Sequence, residues 1–235
     1  MNLKNKVAIV TGASDGLGKQ IALKLAKEGV KLALIARSEE RLEEVKRLVL
    51  EVGSPKCEFY SCDIRNSAKL EEIVKKIMAD FDGINILVNN AGVWQKLGFL
   101  EDLPEETIDE VIDINLKGLI KMTRLVIPYL KEQKDAAIIN ISSKSGVTAQ
   151  PGQSIYTASK WGVTGFSEVL KGDLKDTTVR VATVHQGGVD TGMFDKTGEQ
   201  LNQEKFIRSE DLADVVLFML SRPERIWLHD VRVEY

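Results

Sequence analysis

VAIVTGASDGLGKQIA, residues Val7 to Ala22, carries a strand, a turn and the start of a helix in one short stretch. The apolar run Val7 to Val10 reads as a buried strand. Gly12, Gly16 and Gly18 follow at once. Apolar residues then recur at Leu17, Ile21 and Leu25, and Gly29 serves as a stop, which is the period of a helix. A glycine-rich turn between a strand and a helix lets the backbone come close to a phosphate. The helix N-terminus adds free N–H groups and the positive end of its dipole. The turn from Gly12 to Gly18, with Ser14, Asp15 and Leu17 between the glycines, is therefore read as a nucleotide phosphate cradle. Its spacing is GxxxGxG, not the commoner GxGxxG.

The same alternation continues outward along the chain. VKLALIARS, CEFYSCDI, INILVNNAG, DAAIINISS and VRVATVHQGG read as further strands, with LHDVRVEY as a last one. Amphipathic stretches lie between them: EERLEEVKRLVLEVG, SAKLEEIVKKIMADFDG, two helices from about Pro104 to Asn115 and on through Leu130, SIYTASKWGVTGFSEVLKGDL and SEDLADVVLFMLSRP. Strand, helix, strand at this pitch means βαβ units and a parallel sheet. The strands are near-continuous Val, Ile, Ala and Leu, as burial on both faces requires. The predicted architecture is a single doubly wound α/β domain of Rossmann type over 1–235, with a mostly parallel sheet of about seven strands and helices on both faces.

The composition narrows the function. Hydrophobic residues make up 43% of 235 and the net charge is −3, which implies no strong pull toward nucleic acid or a membrane surface. No apolar run approaches the ~20 residues of a membrane helix. The N-terminal MNLKNKVAIVTGAS reads as a first strand, not a targeting segment, so a cytoplasmic protein is expected. Cys57 and Cys62 are not spaced as CxxC and are expected to be buried, reduced thiols. His185 and His229 are the only histidines. With no GxSxG elbow, no GxxxxGK(S/T) loop and no His/Cys/acid cluster, neither a hydrolase triad, an NTPase nor a metal site is supported.

SIYTASKWG, Ser154 to Gly162, sets Tyr156 one helical turn before Lys160, so both heads share a face. Alone, such a pair is ordinary surface decoration. TGASDGLG, NNAG at Asn89 to Gly92, and Tyr156-x-x-x-Lys160 occur here together and in this order. The sequence resembles the short-chain dehydrogenase/reductase family, with motifs from Val7 to about Met193 and matching element order to the end.

That resemblance implies a catalytic set. Its serine falls on Ser143 in INISSKSG, and its asparagine on Asn115 in VIDINLKG. Ser143 would polarise the substrate oxygen. Lys160 would also bond the nicotinamide ribose, and Asn115 would hold a water that passes protons to Lys160. The chemistry also follows from the groups. Hydride arriving at a carbonyl carbon leaves negative charge on oxygen, which a positioned donor must neutralise. Tyr156 can give its proton, but an ordinary tyrosine titrates near ~10. Bringing it close to neutral takes about 4 kcal/mol, and one cation at ~4 Å in a partly buried site supplies about that. Lys160 is the expected cation, with an oxidised nicotinamide as a second.

The cofactor is read at the end of the second strand, LALIARSEE. An acid there binds a ribose 2′-hydroxyl, whereas an arginine accommodates a 2′-phosphate. Ala36 stands in the acid's place and Arg37 follows, which favours NADP over NAD, although Glu39, Glu40 and Asp15 are close. By the same resemblance Asp63 and Ile64 would meet the adenine. Asn90, Ala91 and Gly92 would border its ribose, and Gly187, Val189 and Thr191 the nicotinamide end. A Pro-Gly pair is usual in that last loop. Gln186-Gly187 replaces it here, which predicts a more flexible loop or a Gln186 that reaches the substrate.

The segment from about Met193 to Arg208 is short and polar and is expected to form a mobile lid over a small or extended carbonyl substrate. Trp94, Gln153, His185 and Phe194 are the expected pocket lining, and Trp161 packing or interface. The expected activity is NADP(H)-dependent reduction of a ketone, aldehyde, 3-oxoacyl-like or small diketone substrate. The alternatives are an alcohol, sugar or hydroxy-acid dehydrogenase running oxidatively, and a dinucleotide-binding regulator without catalysis. Apolar residues beyond one stripe on the helices ending near Leu130 and Leu174 predict a homodimer or homotetramer.

Overall fold

The computed structural model describes residues 1–199, 202, 204–223 and 225–235. The first βαβ unit forms as its sequence period dictates: β1 (Val7–Thr11), α1 (Gly16–Lys27) and β2 (Lys31–Ala36). Every residue of β1 is buried, and α1 buries Leu17, Ile21 and Leu25 along one stripe. The alternation continues through α2 (Glu39–Glu51), β3 (Cys57–Ser61), α3 (Ser67–Phe81) and β4 (Ile86–Asn89). Helix α4 (Glu105–Ile112) runs through a π-helical turn at Asp113–Gly118 into α5 (Leu119–Lys131). Then come β5 (Ala136–Ile141), α6 (Ser154–Asp173), β6 (Val179–Gln186), two short strands β7 (Val189–Asp190) and β8 (Ile207–Arg208), α7 (Ser209–Ser221) and β9 (Asp230–Val233).

The main sheet has seven strands in the order β3-β2-β1-β4-β5-β6-β9, all parallel. Along β1, Ala8 and Val10 face the core packed by α1, α2 and α7, while Val7 and Ile9 face the one packed by α3, α5 and α6. Both faces are dry, which is why the strands show no polar alternation. The order reverses between β1 and β4. The crevice beyond their carboxyl ends is where such sheets bind ligands.

The β7–β8 ribbon pairs residues on either side of the lid segment, Val189 with Ile207 and Asp190 with Arg208, and so ties both ends of that segment together. Gln200, Leu201 and Gln203 of the expected lid lie outside the described residues. Cys57 and Cys62 are free and buried, and burial pushes the Cys57 thiol up to about 12. Among the described residues no helix is long and apolar enough to cross a membrane.

Candidate active site

A cavity of about 590 Å³ opens over the carboxyl ends of the strands, within the range of small-molecule and cofactor sites. The first turn forms its floor. Gly12 and Gly16 have φ of +66° and +48°, a region that costs other residues strain. Both also stand too close to their neighbours for a side chain: a Cβ on Gly12 would sit 2.9 Å from the Ala91 Cα, and one on Gly16 2.8 Å from the Thr191 Cβ. Ser14, Asp15 and Leu17 line the cavity with them. Gly18 does not. A Cβ there would lie 2.2 Å from the Gly12 carbonyl oxygen, so this glycine lets α1 pack against the turn. Its spacing in the motif could not tell packing from binding.

The turn is braced from β4. The Asn90 amide nitrogen donates to Thr11 O at 3.0 Å, and the Thr11 hydroxyl oxygen accepts from the backbone N–H groups of Asn90 and Ala91. Asn90, Ala91 and Gly92 line the cavity, as do Asp63 and Ile64 at the end of β3. The Asp63 carboxylate is held by Arg65 through a bidentate pair, so what it offers the cavity is limited.

At the end of β2 the cavity turns cationic. Arg37 is exposed and lines it, with Ser38 and Arg41. Ser38 caps α2 by accepting from the Arg41 N–H. Arg41 and Lys196 each stand 3.2 Å from the Asp15 carboxylate. Burial raises the Asp15 carboxyl, but the Gly16 N–H and Lys196 outweigh it and the net shift is downward. Asp15 is thus an ionised cap whose charge Arg41 and Lys196 answer. Arg41 lies four residues after Arg37 on the same helix start, a spacing legible in the sequence; Lys196 arrives across the cleft and left no such signal.

At the far end Tyr156 and Lys160 are buried on α6, Ser143 is buried after β5, and Asn115 is buried in the π-helical turn. Burial raises the Tyr156 phenol to about 12, although a hydrogen bond with Ser143 lowers it in part. Burial lowers Lys160 to about 8. Its ammonium donates to the Ile141 carbonyl at 3.1 Å and stands 5.7 Å from the centre of the Tyr156 ring. Burial thus dominates at the phenol, opposed by its hydrogen bond with Ser143, while the Lys160 ammonium is engaged by the Ile141 carbonyl. Asn115 also braces the segment after β4: its side-chain oxygen accepts from Val93 N at 2.8 Å, and its amide nitrogen donates to Val93 O at 3.0 Å and to Ser159.

The cavity walls supply the rest. Gly187, Val189 and Thr191 line it, and so does Gln186, whose buried Oε1 has no hydrogen-bond partner among the described residues. The Gly187 N–H donates to Val233 O at 2.9 Å, so the loop lacking proline is pinned by β9. Trp94 and Phe194 line the cavity as expected. His185 and Gln153 do not: His185 turns toward Asp230, 3.6 Å away, and Gln153 bonds Ser145 and Gln150. The lid is not simply polar, since Phe194 packs on Phe206 at 5.2 Å and Gly188 makes room for the Phe206 ring.

Comparison with known proteins agrees with this geometry. A family model described as short chain dehydrogenase matches residues 6–202. The chain belongs to that family. Among curated relatives of this dehydrogenase, the 3-oxoacyl-(acyl-carrier-protein) reductase FabG of Thermotoga maritima is 35% identical over 231 residues, covering 94% of this chain and 92% of that one. Among solved structures, an alcohol dehydrogenase from the archaeon Thermococcus sibiricus, complexed with 5-hydroxy-NADP, superposes with a TM-score of 0.90 at 26% identity, over 97% and 96% of the two chains. A metagenomic short-chain oxidoreductase in complex with NADP gives 0.85 at 32% identity, over 99% and 98%. The chain is thus an oxidoreductase of the short-chain dehydrogenase type.

The residues fit a nicotinamide dinucleotide: a glycine floor, N–H groups at the α1 terminus, cations at one end of the cavity and an unpartnered buried amide oxygen at the other.

Proposed function

We propose that this chain is an NADP(H)-dependent reductase that converts a carbonyl compound to an alcohol. The observation that carries the reading is the burial of Tyr156 and Lys160 at one end of a cavity whose other end presents Arg37 and Arg41, with Ser143 hydrogen-bonded to the phenol. A bound nicotinamide supplies the hydride. Tyr156 donates its phenolic proton to the substrate oxygen, and Ser143 orients that oxygen by hydrogen bonding. Lys160, with its ammonium 5.7 Å from the Tyr156 ring centre, would bond the nicotinamide ribose when the cofactor is bound. Asn115 keeps Val93 and its neighbours in register at the cavity wall.

We favour the reductive direction because Tyr156, buried and hydrogen-bonded to Ser143, is placed to give its phenolic proton to an oxygen that gains negative charge as hydride arrives. NADP is favoured over NAD because Ala36 leaves the end of β2 without an acid while Arg37, Ser38 and Arg41 gather there. Two of the solved relatives are complexed with 5-hydroxy-NADP and NADP, which supports the same choice. We further infer a cytoplasmic homodimer or homotetramer, because Trp161 and Val169 leave apolar surface exposed on α6. A monomer by light scattering at micromolar concentration overturns that inference.

The test is NADPH consumption with a panel of ketones, aldehydes and diketones, in wild type and Tyr156→Phe. Turnover that collapses in the variant supports the reductase. Tight NADPH binding with no turnover, unchanged by the substitution, marks a non-catalytic dinucleotide-binding regulator.

A further inference from the structure

The segment after β4 and the lid meet at one carboxylate. Glu199 accepts from the Trp94 indole N–H at 2.5 Å through Oε2 and from the Leu97 N–H at 2.7 Å through Oε1. Both oxygens are thus committed to neutral donors of one short stretch, and hydrogen bonds to an ionised acceptor are the strong kind. The indole held this way is not a bystander. Its ring centre lies 4.6 Å from that of Tyr156 at 65°, and 5.0 Å from that of Phe194 at 71°, both edge-to-face. Phe194 in turn packs on Phe206. A row of aromatic rings therefore leads outward from the phenol, and one carboxylate fixes its middle member.

Apart from Lys160, whose ammonium is held by the Ile141 carbonyl, the charged cavity-lining groups described above lie elsewhere. Asp15, Arg37, Arg41 and Lys196 gather at the cationic end, while Val93, Trp94, Met193 and Phe194 line the wall near Tyr156. A substrate carbonyl presented to Tyr156 must set its neighbouring group against that wall. Flat, uncharged, apolar groups suit it. A charged group loses its water there, and the cation at this end, Lys160, is already held by the Ile141 carbonyl.

We propose that Glu199 is a positioning residue that sets substrate preference: it holds Trp94 against Tyr156 so that the site takes uncharged carbonyl compounds bearing a flat apolar group, such as aryl ketones. The proposal rests on the reductase reading above and deepens it. Releasing the indole lets it swing off Tyr156, which weakens binding of a flat group and leaves a short aliphatic ketone almost untouched.

The experiment compares wild type, Glu199→Ala and the near-isosteric Glu199→Gln, which retains a single acceptor oxygen. Each is assayed for NADPH-dependent reduction of an aryl ketone and of a short aliphatic ketone, and its tryptophan emission is recorded. For Glu199→Ala, kcat/KM for the aryl ketone falls about tenfold, chiefly through KM, as one charge-assisted contact is worth. The aliphatic ketone changes less than twofold, and Glu199→Gln falls between. Emission shifts to the red in Glu199→Ala, and the shift disappears when Trp94→Phe is added. An unchanged preference ratio together with an unchanged spectrum in both variants overturns the proposal. A wild type that reduces no carbonyl overturns the reductase reading and the preference with it. The spectra then still decide whether Glu199 holds Trp94.

Discussion

Replacing Arg37 with alanine tests the cationic end of the cavity most directly. Arg37 is exposed, and among the described residues it forms no salt bridge within 4.0 Å, so its guanidinium is available to a phosphate without first leaving a partner. Arg41 is already shared with Asp15 at 3.2 Å. A hydrogen bond to a charged group contributes about 1.5–3 kcal/mol, and solvent screening at an exposed site pulls that toward the lower figure. A loss of about 1.5 kcal/mol is roughly tenfold in dissociation constant. NADPH should therefore bind Arg37→Ala about tenfold more weakly, while NADH, which has no 2′-phosphate, changes less than twofold. Fluorescence titration of both cofactors against both proteins measures this. Repeating it in high salt should shrink the NADPH difference, because the screening length falls from ~10 Å at 0.1 M to ~3 Å at 1 M. Equal weakening of both cofactors, or of neither, refutes the assignment of Arg37 to a 2′-phosphate.

Tyr156→Phe should lower kcat by about 10²–10⁴ with NADPH affinity retained, since it removes the proton donor and leaves the cofactor walls intact. Lys160 titrates near 8 and carries its charge only below that pH, so reductase kcat/KM should fall on an alkaline limb above pH 8; Lys160→Arg, charged throughout, should be slower but lack the limb. The same downward shift means that the protonated Lys160 costs folding stability at neutral pH, and that this cost is relieved as pH climbs from about 8 toward ~10.4. Asp15→Asn keeps a capping oxygen for Gly16 but releases Arg41 and Lys196 to the cofactor, and NADPH titration should show binding tighter by about threefold, on the order of the energy of an exposed ion pair. Gly18→Ala puts a methyl group where the Gly12 carbonyl lies 2.2 Å away, and thermal unfolding should record a loss of about 1–3 kcal/mol or more; an unchanged Tm would contradict the packing role given to Gly18.

How much of this was legible depended on the range of the interaction. The doubly wound sheet follows from local period alone. Val7 to Thr11 can only be a strand covered on both faces, and Leu17, Ile21 and Leu25 can only face a core as a helix. The π-helical turn at Asp113–Gly118 left no such trace, because its widened backbone serves Asn115 and its bonds to Val93, a contact between distant segments. The β7–β8 ribbon is too short for a pattern to show.

The site divides along the same line. Residue types at fixed spacing placed the glycine turn, Arg37, Tyr156 and Lys160 on one edge of the sheet, because backbone geometry converts sequence spacing into position, and the family resemblance added Ser143. Their electrostatics were a matter of packing. Spacing put a cation one turn from a phenol, but only the folded chain directs that ammonium to the Ile141 carbonyl and buries both heads, which raises Tyr156 and lowers Lys160. Only the folded chain, likewise, brings Lys196 to Asp15 and Glu199 to Trp94, across 181 and 105 residues of sequence. Burial and long-range charge depend on where every other segment comes to rest, and no local pattern encodes that.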